Sequence, residues 1–122
     1  MVHGAWWTVG HSLLPIRDDG GRSIRGGDCW PTIGQAFTAA HSARGGKVTV
    51  AQGVDIASQD HEMIPAAMAA AKAADTIVLC LGIGNSQEHE GHDRSNTKLP
   101  GLQEEFALQV LQLGKPTVLV LM

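Results

Sequence analysis

The sequence predicts an α/β fold, a mostly parallel sheet sandwiched by helices in a three-layer α/β/α arrangement. Three observations carry that prediction. Two apolar runs, TIVLCLG (76–82) and PTVLVLM (116–122), show no polar alternation, the pattern of strands buried on both faces of a parallel sheet. A third stretch, KVTVAQ (47–52), has the β-branched alternation of a strand. Helix-prone segments separate the three, and strand–helix–strand–helix–strand is the signature of parallel strands joined by helical crossovers.

The elements follow in chain order. Residues 1–31 hold six glycines and all three tryptophans, Trp6, Trp7 and Trp30, with no clean period. They predict one short strand around AWWTV and then a long irregular loop. TIGQAFTAAHSA (32–43) predicts a helix opened by a capping box of Thr32 and Gln35. After strand 47–52, IPAAMAAAKAAD (64–75) is strongly helix-prone and sets Ile64, Met68 and Ala71 on one face. Pro65 fits only a first turn, so that helix starts close to it. Strand 76–82 comes next. LQEEFALQVLQL (102–113) then spaces Leu102, Phe106, Val110 and Leu113 as a helix does. Glu104 and Glu105 occupy its first turn, where the helix dipole favours anions, and Gly114 supplies the stop. The chain closes on strand 116–122 with no loop after it, so the expectation is an incomplete domain, a single α/β fragment of a larger protein.

Composition narrows the partners. A formal net charge of -3 over 122 residues shows neither basic stripe nor acidic tail, which argues against a nucleic-acid partner. No apolar run approaches the roughly 20 residues that span a bilayer, so no membrane partner is expected. The opening MVHGAWWTVG has neither the basic start nor the apolar middle of a secretory signal, and the compartment stays unread. Of the two cysteines, Cys29 and Cys80, the second lies inside an apolar run and reads as a small buried hydrophobe.

Chemistry concentrates in QEHEGHDRSNTKLPG (87–101). Six ionisable side chains, Glu88, His89, Glu90, His92, Asp93 and Arg94, stand within seven positions of a connection far longer than the usual two to six residues. The connection leaves the carboxyl end of a predicted parallel strand, where ligands bind in such sheets. A solvated surface loop is the plain reading. A nucleotide site is suggested by GIGNSQ, but Gln87 stands where a third glycine is needed and no helix opens there. A metal site is suggested by His89 and His92, but the spacing is not that of a zinc helix and Gly91 breaks the helix it would need. The remaining reading is a carboxyl general acid/base. Glycoside hydrolysis needs two carboxyl groups flanking the bond, and a glutamate on a loop above a sheet can supply one of them to a second domain.

The string QEHEGHDRSNTKLPGLQEE, preceded by AADTIVLCLG and followed by GKPTVLVLM, resembles the second domain of family three glycoside hydrolases, the β-glucosidases, β-xylosidases and related exo-acting enzymes. The likeness rests on Glu-Gly-x-Asp-Arg joined to Leu-Pro-Gly-x-Gln, and on Gly-Lys-Pro before a strand. VTVAQGVDI (48–56) extends it, with Val54 where the family often has cysteine; residues 45–122 match well and 1–44 loosely.

The resemblance implies a retaining exo-acting β-glycosidase whose nucleophile is an aspartate in a (β/α)8 barrel absent from this chain. It makes Glu90 the acid/base, with Glu88 in reserve. Gly91, Asp93 and Arg94 would shape the loop, the last two as an ion pair. His89, His92 and a tryptophan, Trp6 or Trp7, are candidates for sugar contact. The substrate would be a β-linked oligosaccharide or glycoside, its sugar glucose or xylose. No cofactor and no metal is implied, and without the barrel the chain should be inactive alone. The competing reading is a non-catalytic module that binds carbohydrate or a partner protein.

Overall fold

The structure is a computed structural model; it describes the backbone of residues 3–8 and residues 32–122 in full. Its elements are β1 (His3–Thr8), α1 (Ile33–Ser42), β2 (Lys47–Ala51), α2 (Ile64–Ala73), β3 (Thr76–Leu81), α3 (Gln103–Leu111) and β4 (Thr117–Leu121). The irregular segment expected after β1, with Cys29 and Trp30, lies outside the described residues. The four strands form one sheet in the order β2-β1-β3-β4, and every pairing is parallel.

The strand expected around AWWTV is present, and it takes a central place. Trp7 is in register with Ala51 on one side and Leu79 on the other. Strands 47–52 and 76–82, consecutive in the 47–122 segment, are therefore not direct neighbours: β1 stands between them. The β2 segment KVTVA carries Lys47 and Thr49 and is largely exposed, which suits an edge, while the centre goes to more apolar segments. One correction concerns β4. Its apolar run predicts burial on both faces, yet Val118 is 54% exposed and Leu121 62%. Among the described residues β4 pairs only with β3, and an apolar composition cannot supply a missing neighbour.

The β1–β2 connection runs one way along the sheet and the next two run the other way. Right-handed crossovers therefore set α1 on one face and α2 and α3 on the opposite face. Side chains partition to match. Ile77, Leu79 and Leu81 of β3 join Ile64, Ala67 and Ala71 of α2 and Phe106 and Val110 of α3 in one core. Val78 and Cys80, alternating with them, are buried towards the α1 side. On that side Gly34 of α1 lies so close to Val50 that an added Cβ would stand 3.1 Å from its Cγ2.

Local chemistry explains the helix ends. The Thr32 hydroxyl accepts from the Gln35 N–H at 3.1 Å, and the Gln35 side chain accepts from the Thr32 N–H at 2.8 Å, closing the expected capping box. Pro65 stands in the first turn of α2, where its missing N–H is harmless. The α2 carboxyl end is closed from outside: the Lys115 ammonium donates to the Lys72 carbonyl and, at 2.5 Å, to that of Ala74. Gly114, at φ 65°, makes the left-handed turn that brings Lys115 there.

Cys80 offers one test of this packing. Burial pushes its thiol up from its ordinary value, because the dry core disfavours the thiolate. The folded state then holds the proton to higher pH than the unfolded chain does. Its contribution is complete below the ordinary thiol value and is lost as pH rises through it towards the raised one. Urea midpoints should therefore fall on the alkaline side, and Cys80→Val should flatten that fall; an unchanged alkaline slope would refute the assignment.

Candidate active site

The connections leaving β1 and β3 depart to opposite faces of the sheet, and these two strands are neighbours. Their carboxyl ends bracket the switch point at which open α/β sheets bind ligands. Residues 82–102 rise from β3 at that place, and the backbone of Trp6 and Trp7 lies in the paired stretch of β1 beside it. The indole side chains proposed for sugar contact lie outside what the structure describes.

The loop is built from successive turns, each held by main-chain bonds. Gln87 and Glu88 both donate their N–H groups to the Gly84 carbonyl, at 2.9 and 3.2 Å. The Gln87 side chain returns to the Gly84 N–H at 2.8 Å. A two-residue hairpin follows, in which His89 and His92 exchange bonds of 3.2 and 2.9 Å around Glu90 and Gly91. Gly91 has φ 81° and no non-glycine residue has positive φ among those described, the type II pattern with Glu90 first and glycine second. Glycine is needed there because a side chain resists that conformation.

Glu90 thus stands at a turn apex, exposed, followed by its glycine. Glu88 is exposed too, but its backbone belongs to the preceding turn. The two glutamates therefore stand in successive turns of the loop. The rings of His89 and His92 stack across the hairpin, with centroids 5.1 Å apart and planes 14° from parallel. His89 Nδ1 lies 2.8 Å from the Asn85 carbonyl; that oxygen can only accept, so Nδ1 carries the proton.

Arg94 holds the loop differently from the ion pair expected with Asp93. Its guanidinium donates to the Lys98 carbonyl, four residues on. The Asn96 side chain accepts from the Lys98 N–H at 3.0 Å. Together these turns wall an open cleft of about 470 Å3, with His92, Asp93 and Arg94 in its lining. Among the described residues no group of three His, Cys, Asp or Glu side chains is placed to hold a metal ion.

The residue that sequence reasoning passed over is Gln103. It opens α3 and is fully buried. Its carbonyl oxygen accepts from the Gly82 N–H at 2.8 Å, and its amide nitrogen donates to the carbonyls of Gly82 and Ile56, each at 2.7 Å. The signal was present as the last position of Leu-Pro-Gly-x-Gln, a polar residue on the helix face that also carries Phe106 and Val110. Gly101 of the same motif, at φ 62°, packs on the loop after β2, where an added Cβ would stand 2.7 Å from the Ser58 oxygen.

A parallel α/β domain with a glutamate turn at its switch point is the class defined so far. Residues 12–122 match the Glycosyl hydrolase family 3 C-terminal domain, and the chain belongs to that family. It is 39% identical over 75 residues to a β-xylosidase of Formosa agariphila, a match covering 62% of this chain and 10% of that protein. With a probable exo-1,4-β-xylosidase of Aspergillus flavus it shares 38% over 84 residues, 69% of this chain and 11% of the relative. Among solved structures it resembles a GH3 exo-β-xylosidase in complex with a xylobiose aziridine activity-based probe. There the TM-score is 0.70 at 26% identity, over 97% of this chain and 14% of the other. A β-glucosidase from Erythrobacter marinus gives a TM-score of 0.69 at 25% identity, over 98% and 19%. The chain therefore spans about a tenth of the length of the curated relatives it matches.

Proposed function

We propose that this chain is the acid/base-bearing part of a retaining exo-acting β-glycosidase of the β-xylosidase type, with Glu90 as the general acid/base. The observation that carries the reading is the placement of Glu90 at the apex of a type II turn above the sheet's switch point. The names of the relatives favour xylose over glucose as the terminal sugar.

In the first step the protonated Glu90 carboxyl gives its proton to the glycosidic oxygen as the bond from that oxygen to C1 breaks. A barrel aspartate, outside this chain, attacks C1 and forms a glycosyl ester. In the second step the Glu90 carboxylate takes a proton from water as the water oxygen attacks C1, and the aspartate is released. Glu90 is exposed here, so the drier surroundings that suit an acid catalyst come from the docked barrel and the sugar. His89 and His92 flank the glutamate and offer ring faces and nitrogens to sugar hydroxyls, and Trp6 or Trp7 offers an indole platform. Arg94 and Gly91 hold the turn in shape.

The test is a chimera in which this chain replaces the corresponding segment of the Formosa agariphila β-xylosidase. The chimera should hydrolyse an aryl β-xyloside, while the purified chain alone should not exceed the buffer rate. Turnover by the isolated chain, abolished by Glu90→Gln, would sink the two-domain picture. Xylobiose binding by the chain, with Glu90→Gln harmless in the chimera, would indicate a binding module instead.

A further inference from the structure

We infer that Gln103 is the positioning residue of the acid/base turn, the group that fixes where the Glu90 loop begins; this rests on the reading of Glu90 given above. Gln103 is the one buried polar side chain among the described residues. Its amide uses its oxygen once and its nitrogen twice, always on main chain.

The geometry shows why the amide is there. Beyond β3 the ladder continues on one side only: the Leu81 carbonyl and the Ile83 N–H both bond to Met122. The N–H and carbonyl of Gly82 point to the other side, towards β1, whose described pairing with β3 runs to Thr8 and Cys80. Among the described residues no strand meets them, and the Gln103 amide takes a strand's place, answering both groups at 2.8 and 2.7 Å. Its second N–H crosses to Ile56 in the loop after β2. One side chain therefore extends the sheet by a residue at the switch point and joins two loops there. Gly101 presses the far end of the acid/base loop onto Ala57 and Ser58 of the same neighbour.

Between these two anchors the turns carrying Glu90 hang from a fixed origin. A general acid must reach its oxygen to within about 2.6–3.2 Å, and a misplacement of about 1 Å can cost roughly 100-fold. Loosening Gly82 moves that origin, while the nucleophile in the barrel stays where it was.

Two measurements test this. In the wild-type chain the Gly82 and Ile83 amides should exchange with deuterium as slowly as those of Val78 to Leu81; exchange as fast as that of the Asn85 and Ser86 amides would overturn the inference without any variant. In the chimera, Gln103→Met should slow hydrolysis of xylobiose about 10- to 100-fold. The first-turnover burst of dinitrophenol from a dinitrophenyl xyloside, a glycosylation step that needs little acid assistance, should change in rate by less than about 3-fold. Gln103→Glu keeps the acceptor for Gly82 but loses both donors, and it should show the same split if the methionine variant does not fold. A parallel fall on both substrates, or none on either, overturns the positioning role. The Glu90→Ala chimera separates the two claims: a split there without one at Gln103 sinks this inference alone, and no split at Glu90 sinks the acid/base reading.

Discussion

Replacing Glu90 by alanine in the chimera is expected to cripple hydrolysis of xylobiose while largely sparing the first step with a dinitrophenyl xyloside. Loss of a general acid costs about 10²–10⁴-fold when the leaving oxygen needs its proton. Dinitrophenolate leaves without one, so glycosylation by that substrate should fall far less, and the glycosyl ester should then accumulate because water lacks its base. Azide attacks the ester without a base; it should restore turnover and give a β-xylosyl azide, the product of two inversions. Glu88→Ala provides the comparison. Its backbone belongs to the turn closed on Gly84, one turn before the apex, so it should show neither leaving-group dependence nor azide rescue. If those signatures appear with Glu88→Ala and are missing with Glu90→Ala, the acid/base is Glu88.

The largest stability effect should come from Phe106. Its ring is fully buried at the centre of the α2–α3 core, and its tip rests on the backbone of Gly53. A Cβ built on Gly53 would stand 2.2 Å from Phe106 Cζ and 2.4 Å from Cε1. Phe106→Ala should therefore destabilise the chain by about 3–5 kcal/mol, the usual cost of emptying an aromatic site. That is a large share of the roughly 5–15 kcal/mol that holds a typical domain. Gly53→Ala should cost about 1–3 kcal/mol because the ring has to move. Phe106→Leu removes the ring tip, so its cost should be smaller in the Gly53→Ala background than in the wild type. Equal costs in both backgrounds, read from urea unfolding, would show that the ring does not bear on Gly53.

Much of this protein was set by its sequence acting locally. Thr32 and Gln35 are three apart and close a capping box; Pro65 can stand only in a first turn; Leu102, Phe106 and Val110 share a helix face and are buried on it. TIVLCL had to be a buried strand because nothing polar interrupts it, and all but its first residue are buried. Gly91 and Gly114 were legible because single turns that need positive φ select glycine. Other features depend on residues far apart in the chain. That β1 separates β2 from β3 is a matter of pairing across more than forty residues, and no local pattern encodes which edges meet. The exposure of β4 follows from its place at the edge of the described sheet. Arg94 chose a carbonyl four residues on over its neighbour Asp93. Gln103 is the clearest case. As a letter it is one more polar residue in a helix; only the folded chain brings Gly82 and Ile56, 21 and 47 residues away, to its amide. A short-range signal can specify a turn or a cap, but a buried amide acquires its role only when the strand end it completes has already been placed beside it.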